Sequence, residues 1–165
     1  MKTIQKLFLI VIIALFFQTG CAITTPTYVS RNPQETIRLD GVLDESSWQS
    51  AEPLHFVLPV SLDTPQSPTS AKILWDNNYL YIGIVANDRD IKAVLTRRDS
   101  STYLDDALEV FLKPDSESIS YVNFEINPLG AIYDALNDHA PDSKPPNTHD
   151  RWNCDDVKLG IQKKG

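Results

Sequence analysis

From Thr36 onward the chain alternates short apolar-rich runs with clusters of Pro, Asn, Asp, Gly and Ser, the punctuation of an all-β domain. The pattern predicts strands over Thr36–Leu39, Leu54–Leu58, Ala71–Asp76, Tyr79–Asn87, Ala107–Lys113, Ser120–Asn127, Ala131–Leu136 and Asp156–Ile161. Asp76-Asn77-Asn78-Tyr79 separates the third from the fourth, and its Asn-Asn centre, tolerant of positive φ, suits a tight hairpin. Asp44-Glu45-Ser46-Ser47-Trp48 predicts one short helical turn, with Asp44 as cap and Trp48 pointing into the core. Pro53, Pro59, Pro65 and Pro68 mark edge or loop backbone, as does Pro145-Pro146. Asn137–Asn153 reads as a long polar loop.

Successive side chains of a strand point to opposite faces. In Tyr121–Asn127 this places Val122, Phe124 and Ile126 on the core side, and Tyr121, Asn123, Glu125 and Asn127 toward solvent or ligand. Leu108, Val110 and Leu112 form a second core stripe, leaving Glu109 and Lys113 outward with Phe111 between them. Tyr79–Val85 is apolar on both faces and reads as a central strand, with Trp75 before it in the framework. Two antiparallel sheets packed face to face, an immunoglobulin- or jelly-roll-like β-sandwich, satisfy this pattern.

The N-terminus follows a different rule. Lys2 and Lys6 precede eleven apolar residues, Leu7 to Phe17, and then Gln18-Thr19-Gly20-Cys21. A membrane-spanning helix needs about 20 apolar residues, so the run suits an export signal instead. Its end resembles the bacterial lipobox, which implies cleavage before Cys21 and acylation of that cysteine. Residues 1–20 are then signal peptide, 21–35 a tether and 36–165 the folded domain. The protein is expected to be exported and lipid-anchored to the cell envelope, at the outer membrane if the host is Gram-negative. Several acyl chains hold stably where one holds marginally.

Losing Lys2 and Lys6 moves the net charge from −7 to −9. Such an acidic surface excludes nucleic acid, whose phosphates require basic groups, and favours a neutral ligand. With Cys21 acylated, Cys154 has no disulfide partner and reads as a semi-buried thiol.

Three segments together resemble carbohydrate-binding modules of family 9. They are Leu39-Asp40-Gly41-Val42-Leu43-Asp44-Glu45 followed by Trp48; Ala71–Ile82 closing at Asp88; and Leu104–Leu112 continuing into Phe124–Gly130. The resemblance implies a β-sandwich that binds oligo- or polysaccharide, frequent association with glycoside hydrolases, and calcium in some members. It also implies site residues: Tyr103 as an aromatic platform, Glu109 as an acidic contact and Asn127 as an amide contact. Glu125 stands where sugar-binding members carry a basic residue, which shifts hydroxyl recognition or the preferred sugar. Trp152 is the candidate second aromatic. Members run on beyond the point where this chain stops, so the sandwich either closes with fewer strands or is C-terminally truncated.

Rings can cover the C–H patch of a sugar, while carboxylates and amides hold its hydroxyls. Asp105 and Asp106 offer hard oxygens for calcium. His139, His149 and Cys154 have no structural-zinc spacing. Glu109 and Glu125, if on adjacent strands, make a carboxylate pair of the kind that glycoside hydrolysis uses, but a small sandwich face gives little enclosure. The sequence contains no nucleophile elbow, phosphate loop or zincin motif. The expected function is therefore non-catalytic glycan binding beside partner hydrolases. The alternatives are an envelope protein-interaction domain and, less favoured, an intrinsic hydrolase.

Overall fold

A computed structural model describes residues 27–138, the backbone of 148–149, and residues 152–164. The signal segment, His139 and Pro145-Pro146 lie outside the described residues, as do residues 21–26 of the expected tether, Cys21 among them.

The described chain is nearly all β. Strands β1 (Leu54–His55), β2 (Thr69–Trp75) and β3 (Leu80–Ala86) form one antiparallel sheet in that order. Strands β4 (Leu108–Leu112), β5 (Tyr121–Ile126), β6 (Ile132–Asn137) and β7 (Thr148–His149) form a second. Together they make a two-sheet β-sandwich. The only α-helix among the described residues is α1 (Ser46–Ser50).

The short helix buries Trp48 in a cluster with Ile37, Ala51 and Leu74, and Leu43 and Tyr81 pack against it. Gly83, on the same side of β3, leaves room for this: a Cβ there would run into the Leu43 and Trp48 side chains. The helix is not capped by Asp44. The Glu35 carboxylate instead accepts the Ser47 amide at 2.8 Å and the Ser46 hydroxyl at 2.6 Å, while Asp44 pairs with Arg38.

The hairpin at Asp76–Tyr79 is present but closes without positive φ. Asp76 Oδ1 accepts the amides of Asn78 and Tyr79, and Tyr81 donates its hydroxyl to Oδ2. Asp76 and Tyr81 thus hold the loop with side-chain bonds that a left-handed turn would not need.

Several expectations fail. β3 is not a central strand but the outer strand beside β2. Trp75 is not core: it is 48% exposed. Neither Thr36–Leu39 nor Asp156–Ile161 is a strand. These two segments meet instead through glycines. A Cβ on Gly160 would lie 2.5 Å from the Leu39 carbonyl carbon, and one on Gly41, at φ +78, would lie 2.5 Å from the Gln162 nitrogen.

The C-terminal segment laces the domain together. The Trp152 ring packs on Phe124 of β5, the Cys154 amide donates to Asp134 of β6, and Lys158 donates to the Tyr79 hydroxyl at the β2–β3 hairpin. Asp134 is fully buried on the apolar side of its sheet, where Arg98 Nη2 donates to both of its oxygens at 2.7 Å. A buried carboxylate demands such a partner.

Between β1 and β2 the chain forms an exposed apolar loop containing Phe56, Val57, Leu58, Val60 and Leu62. Val60 is fully exposed, and both Val60 and Leu62 adopt positive φ, 77° and 61°.

Candidate functional site

The strand register fixes one face of the second sheet. Glu109 of β4 lies directly opposite Glu125 of β5, which lies opposite Tyr133 of β6. The next row is Phe111, Asn123 and Ala135. Side chains alternate along each strand, so these residues share the face away from Phe124 and Asp134. Phe111 is exposed, and its ring lies 6.1 Å from that of Tyr121. The face is not uniformly open. Asn123, Ala135 and Asn137 are buried, with Asn137 Nδ2 donating to Asn123 Oδ1, so Asn123 does not meet solvent as the alternation predicted.

The open end of the face is completed by the loop before β4. Its anchors are Asp99, whose amide donates to the Ile132 carbonyl, and Thr102, whose hydroxyl donates to Glu125 Oε2 at 2.8 Å. Thr102 is fully buried and begins a single 3-10 turn, Thr102–Leu104. That turn thrusts the next residue, Tyr103, outward, where it is 69% exposed. Asp99, Ser100, Ser101, Tyr103, Glu125 and Tyr133 line a cleft of about 190 Å³. Ligand pockets for drug-sized molecules run roughly 300–1,000 Å³, so this cleft suits a smaller ligand.

Glu109 does not line the cleft but stands beside it, opposite Glu125. Partial burial, followed by the charge of Glu125 and a hydrogen bond to it, pushes the Glu109 carboxyl above its ordinary pKa. Two carboxylates on directly opposed strand positions repel, and sharing a proton relieves the repulsion.

The sequence-derived site residues therefore divide. Tyr103, Glu109 and Glu125 come together at one end of the sheet. Asn127 does not join them. It is 1% exposed, and all four of its amide hydrogen-bonding positions are used: Nδ2 donates to the Leu95 carbonyl and to Asp105 Oδ2, and Oδ1 accepts the amides of Leu129 and Ala131. β5 ends at Ile126, so the strand alternation no longer governs Asn127, and its side chain closes the β5–β6 turn instead. Trp152 is a second correction. It packs on Phe124, on the opposite side of the sheet from Glu125, and cannot face Tyr103 as a second platform.

The two aspartates read as calcium ligands act as clamps on the preceding segment. Asp105 accepts the amides of Val94 and Leu95 as well as Asn127, and Asp106 accepts the Lys92 amide. Burial opposes ionisation of Asp105, but the bonds from Leu95, Asn127 and Val94 outweigh it and hold its pKa below the ordinary range. No group of three or more His, Cys, Asp or Glu among the described residues is placed to hold a metal ion.

Sequence reasoning overlooked Tyr133 and Thr102. Alternation within Ile132–Leu136 could have found Tyr133, since it points away from the buried Asp134. No local signal marks Thr102, whose role depends on a strand more than twenty residues later.

A search of curated proteins and a search of solved structures each find no match. The family described as "Carbohydrate family 9 binding domain-like" matches residues 39–145. That range runs from the Leu39-Asp40-Gly41 opening through the whole of β6 and takes in more than half of the 165 residues. The chain thus belongs to the carbohydrate family 9 binding domain-like family.

Proposed function

We propose that this domain binds carbohydrate without catalysis, holding one sugar ring in the cleft between Tyr103, Glu125 and Tyr133. The observation that carries the reading is the exposed Tyr103 ring beside a cleft of hydroxyls and carboxylates, in a chain of this family. A ring covers the apolar face of a sugar, and Glu125, Ser100 and Ser101 are placed among the lining groups that can bond its hydroxyls. Calorimetric titration against a panel of oligosaccharides tests this, with Tyr103→Ala and Glu109→Ala beside the unaltered chain. Unchanged affinity in both variants would remove the proposed site.

The carboxylate pair supports binding over hydrolysis. Glycosidase carboxyls stand about 5–5.5 Å apart in retaining enzymes and about 6.5–9.5 Å apart in inverting ones. Glu109 and Glu125 stand side by side on directly opposed strand positions of an open sheet face, with Glu109 exposed, rather than flanking a bound sugar inside an enclosed cleft. A turnover assay on chromogenic glycosides is expected to show no activity.

In this proposal the protein is exported, acylated at Cys21 and displayed at the cell envelope, where it keeps glycan near partner glycoside hydrolases. The Leu7–Phe17 run ending at Gly20-Cys21 supports the anchor. Labelled palmitate should enter the unaltered protein and not a Cys21→Ser variant. Among the described residues no helix is long and apolar enough to cross a membrane.

A second reading, contact with another envelope protein, is favoured by the exposed apolar loop at Phe56–Leu62. Co-purification of an envelope protein in the absence of sugar, lost on Val60→Asp, would support it.

A further inference from the structure

We infer that the cleft selects a sugar carrying a free ammonium group, a hexosamine with an unmodified amine, over a neutral hexose. The inference rests on the carbohydrate-binding reading above and concerns the chemistry of the ring that enters. Glu109 and Glu125 face each other across adjacent strands, and Asp99 adds a third carboxylate to the cleft that Glu125 lines. Among the described residues no lysine or arginine lines that cleft. The ion pairs of Arg38, Lys92 and Arg98 are made with Asp40, Asp44, Glu45, Asp90 and Asp134, none of them in the cleft.

A neutral sugar can donate hydroxyl hydrogens to this carboxylate pair but leaves its repulsion in place. An ammonium group brings three donors and the missing positive charge. Its hydrogen bonds to carboxylates are charge-assisted, roughly twice as strong as neutral ones. The exposed Tyr103 ring and the neighbouring Tyr133 can also attract a cation through their faces. Burial first, and the Glu125 charge second, raise the pKa of Glu109, with no cation among the described residues opposing them. N-acetylation would remove both the charge and two of the donors, so acetylated hexosamines should behave as neutral sugars.

The test is calorimetric titration of the full chain with equal-length oligomers of glucosamine, N-acetylglucosamine and glucose, at a pH where the amine is protonated. Glucosamine oligomers should bind about tenfold or more tightly than either neutral series, as one charge-assisted contact requires. In Glu125→Gln and in Glu109→Gln that ratio should fall toward one, with circular dichroism confirming the fold. A preference that survives both variants would reflect the general acidity of the protein and overturn the assignment. Binding of the neutral oligomers with no gain for the amine would overturn the inference and leave the carbohydrate reading standing. Failure of all three series to bind would overturn the carbohydrate reading itself.

Discussion

Asn127 Nδ2 donates to Asp105 Oδ2 over 2.8 Å, joining the β5–β6 turn to the segment that leads into β4. Asp105 in turn holds the amides of Val94 and Leu95, so one buried amide and one carboxylate fix three stretches of backbone. Asn127→Asp would remove both donors and set a second carboxylate against Asp105. A buried polar group left unpaired costs about 1–3 kcal/mol, and more when charged. We expect a loss on the order of 3 kcal/mol at neutral pH, read from urea midpoints, and partial recovery at acidic pH. A neutral effect would mean that Asn127 is not the keystone of this turn.

Arg98→Ala should be among the most damaging single changes. It strands the buried Asp134 carboxylate with the Cys154 amide as its one remaining donor among the described residues. Breaking a buried pair from one side costs about 3–5 kcal/mol. The low end applies here, because the Arg98 side chain is 35% exposed. Replacing both residues, Arg98→Met with Asp134→Leu, should recover much of the loss in chemical denaturation.

Gly160→Ala tests the contact between the C-terminal segment and the Leu39-Asp40-Gly41 opening. The new Cβ meets backbone atoms at 2.5–2.7 Å, which cannot be avoided by a rotamer change. Overpacking costs about 1–3 kcal/mol, and the thermal midpoint should fall accordingly. At Gly130 an added Cβ would meet Ile161 Cδ1 at an ordinary 3.7 Å, but the residue sits at φ +84, so the smaller loss in Gly130→Ala would come from backbone strain alone.

The Glu109–Glu125 pair sets a pH dependence whose sign follows from the raised pKa of Glu109. A carboxyl with a folded pKa above its unfolded value contributes stability below the unfolded value, and that contribution is lost as pH rises through the folded value. The pair therefore opposes folding above the ordinary glutamate range near 4.5. Glu109→Gln should leave stability at pH 4 nearly unchanged and raise it at pH 7 by about 0.2–1 kcal/mol, the scale of a cross-strand charge pair. Thermal melts at the two pH values decide it, and an equal effect at both would refute the coupling.

The sequence made the sheet framework readable because β-strands announce themselves by alternation and by turn residues. β2, β4, β5 and β6 fall within a few residues of the predicted ranges, and the faces of Glu109, Glu125 and Phe111 follow from parity. Parity fails where a strand ends, and Asn127 lies one residue past that limit. It fails again where backbone groups bond to side chains: the Arg38 amide goes to Glu45 Oε1, and no strand forms at Thr36–Leu39. Trp152 lies outside the strands, so no alternation rule says which face of the sheet it reaches. The Thr102–Glu125 bond that aims Tyr103 outward is likewise a tertiary fact.

In the proposed site Tyr103 has one role: to present an aromatic surface to a sugar at the Glu125 end of the sheet. Titration of the full chain with oligosaccharides, followed by tyrosine and tryptophan fluorescence for the wild type and Tyr103→Ala, addresses it most directly. An aromatic contact of this kind contributes about 0.5–1.5 kcal/mol, so saturable binding by the wild type should weaken by about two- to tenfold in the variant. Equal affinity in the two proteins, with both properly folded, would contradict that role for Tyr103.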